Sequence, residues 1–149
     1  NAGGGRFTTV KLDAASGIAP RVGRGAAAGD FDGDGDVDIA VNNLNAGPFL
    51  LRNDTPRSGR WLGLRCVGTR SNRSAIGARV TLRAGGVLQV REVKSGSGYL
   101  SQNDRRVVFG LGAAERIESL VIRWPSGAVE DVTARAVLGA YVTVLEGGR

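Results

Sequence analysis

Short runs in which apolar and polar residues alternate, separated by turn-forming residues, fill the second half of the chain. They are "WLGLRCV" (61–67), "ARVTLRA" (78–84), "VLQVREV" (87–93), "RVVFGL" (106–111), "IESLVIRW" (117–124) and "AYVTVLE" (140–146). A two-residue period places successive side chains on opposite faces of a strand, so six such runs predict an antiparallel β-sandwich or barrel. In 78–84 the pattern turns Ala78, Val80, Leu82 and Ala84 inward and Arg79, Thr81 and Arg83 to water. "AGG" (84–86) reads as a hairpin and "WPSG" (124–127) as a type I turn. Trp61 and Trp124 are expected to anchor core edges, and Cys66, in register with Leu62 and Leu64, to fill a core gap.

Upstream, "VDIAVNN" (37–43) alternates in the same way, and 48–53 reads as a further strand. The 24 glycines and the absence of long helical patterns agree with an all-β chain of short elements. Charge divides the 149 residues: 1–55 carry a net −2 and 56–149 a net +8. Two units, 1–55 and 56–149, are therefore expected, joined near "NDTPRSGR" (53–60). One cysteine and no histidine remove most nucleophile-plus-base sets, so an enzyme is not expected. No apolar run is long enough to span a bilayer, and the start at Asn1 reads as a processed or excised chain.

The most specific signal is "DFDGDGDVD" (30–38), five carboxylates in nine residues of a basic chain. With Asp30 as position 1, the others stand at positions 3, 5, 7 and 9, with Gly35 at position 6, the spacing of a calcium loop. Asp30, Asp32, Asp34 and Asp38 read as side-chain ligands and Asp36 as a backbone-carbonyl ligand, with Ca2+ as the cofactor. Position 12 is Val41 in place of the bidentate Glu of an EF-hand, and the residues that follow the loop read as a strand. A solvated acidic turn, or a site for sodium or magnesium, stays open beside this reading. Without the Glu, calcium affinity is expected to be weak, about 10⁻⁴ to 10⁻³ M, as in extracellular modules.

"GRGAAAGDFDGDGDVDIAVNN" (23–43) followed by "GPFLLRND" (47–54) resembles one FG-GAP or VCBS repeat, the calcium-loop blade of β-propellers. The resemblance implies calcium at Asp30, Asp32, Asp34 and Asp38, and one propeller-type blade or hairpin over 1–55. A single blade cannot bury both faces. It must pack on upstream blades, on the second unit or on another copy. "SNRSAIGARVTL" (71–82), "VKSGSGYLSQND" (93–104), "VVFGLG" (107–112) and "VIRWPSG" (121–127) resemble the ASPIC/UnbV domain. That pairing, found in secreted proteins similar to cartilage acidic protein, implies an extracellular location and no defined activity.

The expected function is thus a non-enzymatic extracellular calcium-binding β module for adhesion, matrix or surface assembly. Its expected partners are a protein or glycan at the cell surface, with self-association into an oligomer or filament. The alternative is a polyanion binder that uses the basic second unit, since eighteen of the twenty basic residues are Arg. The arginines are dispersed along the sequence and no nucleic-acid motif is present, so nucleic acid is the less favoured partner. "SGSGYLSQND" (95–104), with Tyr99, is a candidate recognition surface, though it reads first as a loop wrapping a strand end. Asn53 and Asn72 begin glycosylation sequons that carry little weight alone.

Overall fold

The computed structural model describes residues 6, 8–9, 21–56 and 59–148. The first part of the expected unit 1–55, and residues 57 and 58 of the expected join, lie outside the described residues. The chain is all-β. Strands β1 (Gly23–Gly29), β2 (Asp38–Asn43) and β3 (Ala46–Leu51) form an antiparallel meander. Strands β4 (Arg60–Val67), β5 (Arg79–Ala84), β6 (Val87–Glu92), β7 (Val107–Gly112), β8 (Ile117–Arg123), β9 (Val129–Asp131) and β10 (Tyr141–Leu145) make two further sheets, ordered β10-β4-β7 and β6-β5-β8-β9.

Alternation becomes packing along β5: Val80, Leu82 and Ala84 are buried while Arg79 and Arg83 are exposed. The same face-splitting buries Leu62, Leu64 and Cys66 on β4, Val107, Phe109 and Leu111 on β7, and Leu120 and Ile122 on β8. One apolar cluster therefore draws on both sheets of the sandwich. Each large side chain removed from water contributes about 1.5–3 kcal/mol. The hairpin at 84–86 forms, with Gly85 and Gly86 at φ 55° and 74°. The 124–127 turn also forms, closed by the Gly127 N–H on the Trp124 carbonyl at 2.9 Å.

Three features depart from the sequence-based expectation. β1, made of "GRGAAAG", is a strand although glycine and alanine have poor strand propensity, because its register with β2 holds it (Ala26 opposite Val41, Ala28 opposite Ile39). β9 is only three residues long, too short to show an alternation. Strand β10 runs parallel to β4, from Tyr141 opposite Gly63 to Leu145 opposite Val67, where an antiparallel sandwich was expected. This parallel pair joins strands far apart in the chain, so no hairpin signal announces it.

The buried cluster contains no residue of β1, β2 or β3. The first sheet instead leans on the sandwich through polar and aromatic contacts that converge on the loop after β1.

Candidate metal centre

The loop 30–38 leaves the end of β1 and returns at the start of β2, where Gly29 pairs with Asp38. The ladder thus brings the first and last carboxylates of the motif side by side. Gly33 and Gly35, at φ 76° and 96°, let the backbone curl between them. Asp30 and Asp38 are 3% and 2% exposed, and a buried carboxylate is costly unless its lone pairs are met. Asp30 Oδ1 accepts from the Gly33 and Asp34 N–H groups at 2.7 and 3.0 Å, and Oδ2 from the Gly35 N–H at 2.7 Å. Asp38 accepts from Phe31 N–H at 2.7 Å and from Asn53 N–H at 2.8 Å.

Three of the five carboxylates converge: oxygens of Asp30, Asp32 and Asp38 lie within 4.8 Å of one another. Oxygen ligands stand about 2.3–2.6 Å from calcium, so two on opposite sides of one ion are about 4.6–5.2 Å apart. The donor set is all oxygen and anionic, and it fits a hard divalent cation. Asp34 and Asp36 are not in this group, and Asp34 Oδ1 instead accepts from the Asp36 N–H at 2.9 Å.

The sandwich supplies the seat of the loop. Tyr141, at the start of β10, donates its hydroxyl to Asp30 Oδ2 at 2.7 Å. Burial, then the bond to Asp30, pushes the phenol pKa upward, which keeps the donor proton in place. Arg106 donates from Nη2 to the Asp30 carbonyl at 2.6 Å and from Nε to Asp104 at 2.6 Å, and its guanidinium lies 4.3 Å from the Tyr141 ring centre. Trp61 meets Tyr141 edge-on, with ring centres 5.1 Å apart. A Cβ on Gly35 would stand 2.2 Å from Trp61 Cε2, so the loop lies flat on the indole.

Comparison with known proteins places both segments. The FG-GAP repeat model matches residues 22–59, and the model of the family described as ASPIC and UnbV matches residues 68–148, more than half of the chain. The chain belongs to the ASPIC and UnbV family. It is similar to cartilage acidic protein 1 of Homo sapiens, 32% identical over an alignment of 130 residues that covers 83% of this chain and 19% of the human protein. The protein of the same name in Mus musculus is 34% identical over 70% of this chain and 17% of its own length, and that in Xenopus tropicalis 33% over 72% and 17%. This chain thus spans less than a fifth of the length of these curated relatives.

In these terms, the ASPIC/UnbV segment holds β1 by an imitation of a β-ladder, made of one side-chain and one main-chain hydrogen bond. Asn103 Oδ1 accepts from the Ala28 N–H at 2.9 Å, and the Asp104 N–H donates to the Ala28 carbonyl at 2.9 Å. Both free backbone groups of one β1 residue are thereby satisfied, so "SGSGYLSQND" closes the edge of a strand. Tyr99 and Leu100 stay 74% and 88% exposed at its tip. Tyr141 and Arg106 are functional contacts that sequence reasoning missed. The signal for Tyr141 was Gly63, a glycine inside a strand: a Cβ there would stand 2.2 Å from the Tyr141 ring.

A further buried carboxylate, Glu146, serves the ASPIC/UnbV fold. Its Oε2 accepts from the N–H groups of Thr69, Arg70 and Ser71 at 3.0, 2.8 and 2.7 Å, and its Oε1 from the hydroxyls of Ser71 and Ser126. Burial favours the neutral acid, but the Ser126 hydroxyl and the three backbone donors outweigh it and hold the pKa at about 2.

Proposed function

We propose that this chain is an extracellular β module stabilised by one calcium ion at Asp30, Asp32 and Asp38, and that it works by binding and not by catalysis. The convergence of three carboxylates, two of them buried, carries the reading. Asp34 and the Asp36 carbonyl complete the ligand set once an ion draws the loop in. Since Tyr141, Arg106 and Trp61 all bear on the loop, the ion's binding energy reaches both segments of the chain. The module serves adhesion, matrix or surface assembly through a protein or glycan partner. Phe31, Ile39 and Leu50, 73%, 42% and 43% exposed on the FG-GAP segment, are apolar positions for a further blade or a second copy to cover.

Calorimetric titration of chelator-treated protein with calcium tests the metal. One ion is expected to bind, with Asp38→Ala abolishing the heat. Free calcium at a hundred times the Kd should add about 2.7 kcal/mol of stability. No heat and no thermal shift would reduce the loop to an acidic turn.

A further inference from the structure

Arginines scattered along the sequence meet at one end of the sandwich. Strand β4 runs on past the start of β7, because Leu64 pairs with Val107, and Arg65 therefore stands beside the residues that precede β7, Arg105 and Arg106. The loop after β4 folds back, with the Gly68 N–H donating to the Arg73 carbonyl at 3.2 Å, and brings Arg73 to the same place. Arg105 then reaches across to the Ser74 hydroxyl at 3.0 Å. The four arginines, with Ser74 and Asp104, line a cavity of about 500 Å³.

Among the described residues the cavity holds one carboxylate, Asp104, and that group is already taken by Arg106. Among the described residues, Arg65, Arg73 and Arg105 have no ion-pair partner. Three unneutralised guanidinium groups around one concavity raise the local potential and offer paired N–H donors at fixed angles. Such forks match the oxygens of a sulfate or carboxylate group better than they match a neutral ligand. The Ser74 hydroxyl and the remaining lone pairs of Asp104 suit sugar hydroxyls. Among the described residues no aromatic ring lines the cavity, so they offer no platform on which a base would stack.

We propose that this cavity binds an acidic saccharide, with Arg65, Arg73 and Arg105 holding its sulfate or carboxylate groups. The site is separate from the aspartate loop and does not depend on a metal there. Arg106 touches both, since it also donates to the Asp30 carbonyl.

The test is calorimetric titration of the whole chain with a heparin tetrasaccharide, in calcium and again in chelator, so that loss of metal binding is read apart from loss of saccharide binding. Binding should weaken steeply with salt, and Arg73→Ala and Arg105→Ala should each lower affinity about tenfold or more, one charge-assisted hydrogen bond being lost. Arg83→Ala removes the same charge from an exposed position on β5 and should change affinity less than twofold. Thermal melts of each variant separate lost binding from lost folding. Equal weakening by all three substitutions would overturn the proposal, because binding would then follow net charge alone. Absence of binding, or tighter binding of a single-stranded DNA oligonucleotide, would overturn it as well.

Discussion

Gly35→Ala probes the seat of the loop. Gly33 and Gly35 both have positive φ, 76° and 96°, but a Cβ on Gly33 meets nothing within 4 Å, whereas one on Gly35 falls 2.2 Å from the Trp61 ring. Positive φ costs a β-carbon about 1–2 kcal/mol, so Gly33→Ala should cost about that much. Gly35→Ala adds overpacking against a buried indole that Tyr141 holds edge-on, a further 1–3 kcal/mol or so. Both substitutions stiffen the unfolded chain alike, so their difference isolates the contact. Urea unfolding followed by tryptophan emission, in chelator so that no metal contributes, should show Gly35→Ala less stable than Gly33→Ala by about 1–3 kcal/mol. In a Trp61→Ala background the two should cost the same, a non-additivity that a double-mutant cycle measures. Equal costs for the two in the parent chain would refute the placement of the loop on Trp61.

Two titratable groups make further predictions. Glu146 has its pKa depressed from 4.5 to about 2, so its stabilisation is complete above about pH 4.5 and is lost as the pH falls through 2. Acid unfolding followed by circular dichroism should therefore show a shallower pH dependence between pH 2 and 4.5 for Glu146→Gln than for the parent. Parallel curves would exclude this role. Burial pushes the Cys66 thiol from 9.0 to about 11, so folding favours its neutral form and its contribution is lost as the pH rises above 9. Labelling with iodoacetamide at pH 8 should proceed only as fast as the chain opens, and rapid stoichiometric labelling of the native protein would count against its burial.

The sandwich strands were legible because each is set by neighbours in sequence: alternation selects the buried face, and glycine and proline punctuate the turns. The same local logic exposed the aspartate spacing, since a loop of nine residues curls its own ligands together. What only the tertiary structure decided are the meetings between distant segments. Asp30 with Tyr141, Ala28 with Asn103, β4 with β10, and Arg65 with Arg73 and Arg105 all depend on how the sheets pack and where strands end in register. Local pattern records which face of a strand is wet or dry. It does not record which remote residue lies opposite, because that is set by long-range pairing, whose partners carry no matching local mark.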